Sequence, residues 1–304
     1  MGLQQASLSL NDPRGDRQLT SEGFAMLPTM LPSGDRMFYL MRTGSRGYAS
    51  GELWSLNLGT GEKARALPGR VMATYSISVD GRRVVFTSPG SASDDGIWVA
   101  DLDRRTPPRQ LTRGGEFRAF FGGPGEIVYI SPQAERRYLY RMREDGSGVE
   151  QIRPEPVNDL ITVSPDGQWA VVVLPEMTTG GGTVLMSLHG EAPMTACENG
   201  VAFGLGPNSI QGAPINWSMD GKSVFVSLQY CGLGTAKTVV LPYRSGVPLA
   251  ALWPKGLRDE QDVAANPGAT VINEANVFPA ASASAHLSWR RTTQSNLYRV
   301  RLPD

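Results

Sequence analysis

Six short segments of similar pattern recur along the amino-acid sequence. Each alternates apolar and polar residues, and the copies lie at residues 52–58, 96–102, 138–144, 183–189, 238–244 and 296–302. Alternation with a period of two residues is typical of a β-strand with one buried face. The copies are separated by 42 to 58 residues, on or just beyond the ~40–50 residue period of units that each fold into one small sheet. The chain is therefore predicted to repeat one small sheet six times.

A turn sequence lies ahead of most of these strands. Its clearest form is Ser-x-Asp-Gly followed by an apolar run, at residues 78–88, 164–174 and 218–228, with weaker forms at 32–41 and 122–131. Glycine adopts a positive φ at little cost, so Asp-Gly favours a tight hairpin between two strands. The sixth copy, at residues 276–291, contains no glycine. Each repeat is predicted to contain strand A before the turn, strand B after it, strand C from the alternating segment and a short strand D, such as residues 109–112.

The last repeat has no strand D behind residues 296–302. Near the N-terminus, residues 17–20 repeat the tetrapeptide RQLT of residues 109–112, so we expect residues 17–20 to pair with residues 296–302 and close a ring. Closure removes the exposed sheet edge that would otherwise invite aggregation. The sequence thus predicts an all-β fold, a six-bladed β-propeller closed by an N-terminal strand.

We expect one propeller domain over residues 1–304. Residues 1–16 are predicted to be an N-terminal extension, and residues 244–268 an insertion in blade 5. Within that insertion, residues 259–265 are the only predicted helix, with acidic residues in the first turn and Asn-Pro-Gly after it.

The repeats resemble the WD-repeat-like blades of TolB-type propellers over about residues 17–303. Four features carry this resemblance: the turn, the apolar B strand, the aromatic-bearing C strand and the RQLT exit strand. The insertion and the ending TTQSNLYRVRLP also resemble propeller modules appended to bacterial serine/threonine kinases. The resemblance implies a non-catalytic binding, sensor or scaffold protein that recognises a protein, peptide or cell-envelope ligand. It also favours an extracytoplasmic, periplasmic location. Because six-bladed propellers include lactonases and other hydrolases with a metal in the central channel, an enzyme of that kind is the alternative.

The charge balance restricts the partners. The 29 basic residues equal the 29 acidic ones, which removes the bulk attraction that nucleic acid or an anionic membrane would require. No stretch approaches the ~18 apolar residues of a membrane span, and the first residues lack the charged and apolar regions of a signal peptide. We expect a protein or peptide partner, no nucleic acid, no membrane span in this chain, and a monomer in isolation.

No catalytic signature is present in the sequence. G-x-S-x-G and H-E-x-x-H are absent, as are the kinase motifs. Residues 220–223 (DGKS) resemble the end of a phosphate-binding loop, but Asn216 stands where that loop needs glycine, so a hairpin turn is the interpretation. The two histidines, His189 and His286, are too few for a site of three imidazoles. We predict no catalytic residue, no metal and no cofactor.

A binding face is predicted from the connections between strands. Successive strands in a blade are antiparallel, so the B–C and D–A connections emerge at the same end of the ring. Arg, Tyr and Asn are frequent there, and such side chains supply hydrogen bonds and stacking surface at protein interfaces. The predicted ligand-binding residues are Phe24, Arg42, Arg46, Tyr48, Tyr75, Arg118, Arg136, Tyr138, Asp159, Asn208, Tyr230 and Asn276.

Two cysteines are predicted to lie at that same face. Cys197 is at the strand D end of blade 4, and Cys231 is in the B–C connection of blade 5, so the two residues should lie on adjacent blades. A disulfide between Cys197 and Cys231 is one interpretation. Two separate thiols, kept reduced in the cytosol, are the other.

Overall fold

The computed structural model describes residues 3–42, 50–88, 95–175, 182–197, 215–229, 231, 235–275, 277–282 and 284–294. Six sheets stand in a ring, so the predicted six-bladed β-propeller is confirmed. The chain begins with β1 (Leu3–Asp12) and β2 (Gly15–Gln18). Blade 1 contains β3 (Ala25–Met30), β4 (Arg36–Arg42), β5 (Gly51–Asn57) and β6 (Lys63–Arg65), and β7 (Val71–Met72) also pairs with β5.

The next four blades follow in chain order. Blade 2 contains β8 (Thr74–Ile77), β9 (Arg83–Thr87), β10 (Ile97–Asp101) and β11 (Arg109–Gln110). Blade 3 contains β12 (Phe117–Phe121), β13 (Glu126–Gln133), β14 (Arg136–Arg143) and β15 (Glu150–Gln151). Blade 4 contains β16 (Asp159–Val163), β17 (Trp169–Val173), β18 (Thr183–Ser187) and β19 (Met194–Cys197). Blade 5 contains β20 (Ile215–Trp217), β21 (Ser223–Ser227), β22 (Thr238–Pro242) and β23 (Thr270–Ile272).

Blade 6 is assembled from both ends of the chain. Its two inner strands are β24 (Val277–Pro279) and β25 (His286–Gln294), and its two outer strands are β1 and β2. The pairing of β1 with β25 runs from Leu3 opposite Gln294 to Asn11 opposite His286. Because β1 supplies strand C of the last blade, the N-terminus closes the ring, as the sequence predicts.

The segment that closes the ring differs from the predicted one. Residues 1–16 were expected to be an extension, but Ala6, Leu8 and Leu10 of β1 are buried in the core that includes Leu287 and Trp289. Residues 17–20 follow β1 instead: Gln18 pairs with Ser9, and the Leu19 N–H donates to the Leu8 carbonyl. β1 therefore pairs with β25 to close the ring, and residues 17–18 lie in β2, the outermost strand of the same sheet. The expected partner of residues 17–20, residues 296–302, lies outside the described residues.

Side-chain hydrogen bonds stabilise the Ser-x-Asp-Gly turn. Ser78 Oγ donates to Asp80 Oδ1 at 2.5 Å and accepts from the Arg83 N–H at 2.9 Å, while Asp80 Oδ1 accepts from the Arg82 N–H. Gly81 has φ +69, a conformation that most other residues avoid. The copies at residues 164–169 and 218–223 make the same hydrogen bonds through their serines and aspartates. This local chemistry fixes the hairpin between strands A and B.

The insertion in blade 5 joins β22 to β23 and contains two short helices, α1 (Leu249–Leu252) and α2 (Glu260–Ala264). The sequence predicts only α2, whose first turn is capped by the Asp259 side chain accepting from the Asp262 N–H. Trp253 follows α1, is 1% exposed, and donates from Nε1 to the Pro242 carbonyl at 2.9 Å. The insertion is thus anchored to the outer part of blade 5. Neither helix is long and apolar enough to cross a membrane, and the same holds for the rest of the described chain.

Candidate functional site

The ring has two ends with different connections. All the paired strands within the blades are antiparallel, so the B–C and D–A connections form one end, called here the loop-rich face. The A–B and C–D connections form the other end, called the turn face. Each A strand runs from the loop-rich face to the turn face along the central channel.

The central channel is narrow. A cavity of about 190 Å³ is lined by the A strands of all six blades, and its polar side chains include Thr29, Thr74, Tyr75, Ser76, Arg118, Thr162 and Asn216. The described lining thus offers hydroxyl, amide and guanidinium groups, and no carboxylate. Among the described residues, no group of three His, Cys, Asp or Glu side chains is placed to hold a metal ion.

Tyr75 links two blades inside this channel. Its hydroxyl donates to the Leu27 carbonyl of blade 1 and lies 3.2 Å from both Thr29 Oγ1 and the Phe38 carbonyl. Leu27 has φ +50 and lies in an irregularity of the pairing between β3 and β4. Burial raises the pKa of the Tyr75 hydroxyl above its ordinary value, so the group stays protonated. Tyr75 therefore fixes the spacing of blades 1 and 2.

Arg118 and Asp159 link blades 3 and 4 at the channel mouth. Arg118 Nε and Nη2 donate to the two oxygens of the Asp159 carboxylate at 2.9 and 3.1 Å. Arg118 has φ +55 and lies at an irregularity in the pairing of β12 with β13, which aims its side chain at the next blade. The two side chains are 25% and 12% exposed, so the guanidinium remains partly accessible.

Arginines on the loop-rich face are held against aromatic rings. Arg42 lies over Phe24 at 5.0 Å from the ring centroid, Arg70 over Trp98 at 4.7 Å, and Arg137 over Phe117 at 5.1 Å. The first and third pairs lie in blades 1 and 3, and the second joins the connection between blades 1 and 2 to β10 of blade 2. Such cation–π contacts contribute about 0.5–1 kcal/mol at exposed positions, and each orients a guanidinium on this face.

A larger groove lies between blades 3 and 4. Its volume is about 620 Å³, and its floor includes Val157, Leu174 and Met186, which are continuous with the hydrophobic core between these two blades. One wall is the B–C hairpin of blade 3, where only Ala134 and Glu135 separate two eight-residue strands. Ala134 has φ +51, as expected for such a two-residue turn. The opposite wall contains the connection from β15 to β16.

Arg153 in that connection is largely buried. Its side chain is 17% exposed, and its Nε lies 3.6 Å from Glu155 Oε2. Its Nη2 donates to the Glu191 carbonyl at 3.4 Å, whereas Nε has no hydrogen-bond partner among the described residues. Arg136, at the hairpin end of the groove, is exposed, and it forms no salt bridge with any described residue. The groove therefore contains two guanidinium groups with unused donors.

The predicted site residues fall into three groups. Arg42, Arg118, Arg136, Tyr138 and Asp159 lie on the loop-rich face or at the channel mouth, and Arg118 is joined to Asp159. Phe24 and Tyr75 are each 7% exposed and pack between strands and blades, and a role for either in ligand binding stays a prediction. The remaining predicted contacts lie outside the described residues; these are Arg46, Tyr48, Asn208, Tyr230 and Asn276.

Sequence reasoning missed the groove residues Arg137, Arg153 and Glu155. Their signal is weak because RPEPV, at residues 153–157, has no strand periodicity. The sequence feature that indicates this groove is a two-residue hairpin turn followed by consecutive arginines, together with the Pro-containing connection at residues 153–157.

Cys231 is fully buried and disulfide-bonded. The strand position of Cys197 is opposite Thr183, but its side chain lies outside the part of the chain described. The pairing of Cys197 with Cys231 stays a prediction.

The two histidines have separate environments. His189 Nε2 lies 3.2 Å from the Gly167 carbonyl in blade 4. His286 is opposite Asn11 in blade 6, and burial lowers the pKa of its imidazole.

Comparison with known proteins supports the fold. No family model matches the sequence, and no curated protein matches it. TolB from Acinetobacter baumannii superposes with a TM-score of 0.56 at 15% identity, covering 78% of this chain and 60% of that one. A putative TolB from Agrobacterium tumefaciens gives 0.52 at 16% identity, covering 81% and 80%. A chain of a nidogen/laminin complex gives 0.51 at 11% identity, covering 78% and 89%. The chain thus has the fold of TolB-like propellers and spans three fifths of the Acinetobacter protein.

Proposed function

We propose that this chain is a non-catalytic binding propeller that recognises a protein or peptide partner through its loop-rich face. The observation that carries the proposal is the set of arginines held over aromatic rings on that face, Arg42, Arg70 and Arg137. Arginine and aromatic side chains are the groups most often responsible for binding energy at protein interfaces.

The mechanism is rigid presentation of these groups. A guanidinium already oriented on an aromatic ring loses less rotational freedom on binding than a free side chain does. The blades beneath are fixed to each other by Arg118 with Asp159 and by Tyr75 with Leu27. We therefore expect small backbone movement on binding, as in other preorganised complexes.

The proposal includes a location outside the cytosol. Cys231 is disulfide-bonded, and structural disulfides form and persist chiefly in oxidising compartments. A sensor or scaffold role in the cell envelope is consistent with such a location. The TolB-like fold of the neighbours does not by itself assign a partner.

The proposal is tested with random twelve-residue peptides displayed on phage and selected on the immobilised chain. The triple variant Arg42→Ala, Arg70→Ala, Arg137→Ala should weaken binding of the selected peptides at least about tenfold, because interface arginines are frequent hot spots. Arg83→Ala is the matched control, since Arg83 lies over Phe121 at 5.9 Å on the turn face. Failure to enrich any peptide, or equal binding by the triple variant and the wild type, would contradict the proposal.

A further inference from the structure

We infer that the groove between blades 3 and 4 is a subsite for an extended peptide segment that carries an acidic side chain beside a large apolar one. The inference rests on the proposed function and specifies where on the loop-rich side the partner is held and what chemistry it has. The site is off the ring axis and distinct from the central channel.

The shape of the groove favours an extended segment. The lining begins at Arg136 on the loop-rich face, includes Met186 near the far end of β18, and reaches Pro193 before β19. Five residues of strand rise about 15 Å, so the groove runs along most of the height of blade 4. A volume of about 620 Å³ lies within the range of ~300–1,000 Å³ found for ligand sites. The central channel, at about 190 Å³, is too small for such a segment.

The floor of the groove favours an apolar side chain. Val157 and Met186 are buried in the core between the two blades, and Leu174, packed against that core, is partly exposed to the groove. Pro156 and Pro175 add rigid apolar surface at the sides. An apolar ligand side chain placed over Leu174, Pro156 and Pro175 would remove their remaining exposed surface from water, which contributes about 25 cal/mol for each Å².

The charged groups favour a carboxylate. Arginine carries five N–H donors, and Arg153 uses one in a 3.4 Å hydrogen bond to Glu191 and lies 3.6 Å from Glu155. Glu155 is 54% exposed, so its attraction to Arg153 is weakened by solvent. A ligand carboxylate between Arg153 and Arg136 would meet donors from both walls, and an arginine fork binds a carboxylate through two parallel hydrogen bonds.

The walls of the groove are already rigid. The hairpin carrying Arg136 closes with a two-residue turn, and Arg137 is fixed by its contact with Phe117 and by donating to the Asn158 carbonyl at 3.0 Å. Arg137 thereby connects the hairpin to the connection that carries Arg153. A preformed groove of this kind avoids much of the ordering cost of binding.

The inference predicts the composition of the peptides selected on the full chain. Peptides should be enriched in Asp or Glu next to Leu, Ile, Phe or Met, and their binding should fall at least about tenfold in Arg136→Glu and in Arg153→Gln. Arg143→Glu is the matched control, because Arg143 is exposed at the opposite end of the same strand β14. Urea unfolding of each variant shows whether the fold is retained. Leu174→Glu, on the floor, is a second variant that should abolish binding without removing an arginine.

The possible outcomes separate the subsite from the proposed function. If the selected peptides bind the groove variants and the wild type equally, yet lose affinity in the double variant Arg42→Ala, Arg70→Ala, which keeps the groove residue Arg137, the groove is overturned while the binding function stands. Enrichment of basic peptides, attracted by Glu135 and Glu155 instead, would also overturn the inference. If no peptide is enriched at all, the proposed function itself fails.

Discussion

Arg118 donates two hydrogen bonds to Asp159, at 2.9 and 3.1 Å, across the boundary between blades 3 and 4. The pair lies on the channel side of the same boundary that carries the groove. Its geometry depends on the left-handed backbone of Arg118, a conformation that costs a non-glycine residue about 1 kcal/mol or more. The ion pair and the irregularity in β12 therefore form one structural unit that holds the two blades in register.

Removing one partner of this pair should lower the free energy of unfolding more than removing both partners. Arg118→Ala leaves the Asp159 carboxylate largely buried without its cation, and we expect a loss of about 2 kcal/mol in the free energy of unfolding. Urea unfolding of Arg118→Ala, Asp159→Ala and the double variant measures the coupling, expected at about 1–2 kcal/mol. Strictly additive losses would show that the two side chains do not act together.

Substitutions in the closing strand β1 should lower the free energy of unfolding on the face that carries Leu8, and much less on the face that carries Ser7. Leu8 is fully buried opposite Trp289, whereas Ser7 projects to the other side of β1. Leu8→Ala should lower the free energy of unfolding by about 3 kcal/mol, and the neighbouring control Ser7→Ala by less than about 0.5 kcal/mol. Equal and small effects would mean that β1 does not complete blade 6.

Acid should destabilise the protein partly through Asp166. Burial raises the pKa of its carboxyl, but hydrogen bonds from Ser164 and Tyr243, at 2.6 and 2.7 Å, outweigh burial and lower the pKa below 3.8. A carboxyl with a lowered folded-state pKa stabilises the fold above the unfolded-state pKa and loses that effect as pH falls through the folded value. Asp166→Asn should therefore lower the free energy of unfolding by about 1–2 kcal/mol at pH 7, and by clearly less at low pH, where the carboxyl is protonated in both the folded and the unfolded state.

The measurement for Asp166 is urea unfolding at both pH values. Glu62→Gln, in the exposed turn after β5, is the control and should leave stability unchanged at each pH. If Asp166→Asn lowers the free energy of unfolding by the same amount at pH 7 and at low pH, the stabilising role of the ionised Asp166 carboxyl is refuted.

The cysteines should form one intramolecular disulfide. A bond between Cys197 and Cys231 would close a loop of about 35 residues, and its reduction should lower the free energy of unfolding by roughly 3–4 kcal/mol. Denatured, non-reduced protein should contain no free thiol and migrate as a monomer. Two free thiols, or a covalent dimer that Cys197→Ser fails to abolish, would disprove the pairing.

The sequence predicts the hairpins well because their causes are local. Ser78, Asp80 and Gly81 determine their turn through hydrogen bonds within six residues, so the sequence motif alone predicts the turn. The closing strand is different. Ala6, Leu8 and Leu10 alternate like any half-buried strand, but their partners around Leu287 lie at the other end of the chain, and no local pattern specifies that pairing.

The candidate site likewise combines features that the sequence predicts with features that depend on distant packing. Arg118 and Asp159 could both be placed at the channel mouth from strand order, yet their contact depends on a pairing irregularity that composition does not reveal. Arg153 could not be found, since its burial results from the packing of an irregular connection between two blades. The burial of Tyr75 likewise depends on packing between blades 1 and 2, where its hydroxyl donates to the Leu27 carbonyl.

Hydrogen–deuterium exchange with and without a selected peptide tests the binding face most directly. We predict slower exchange on peptide addition at residues 134–137 and 152–158, around Arg136 and Arg153, and no change at the turn-face residues 78–83 and 218–223. Protection on the loop-rich face that leaves both walls of the groove unchanged would overturn the groove alone, and protection confined to the turn face would contradict the binding face itself.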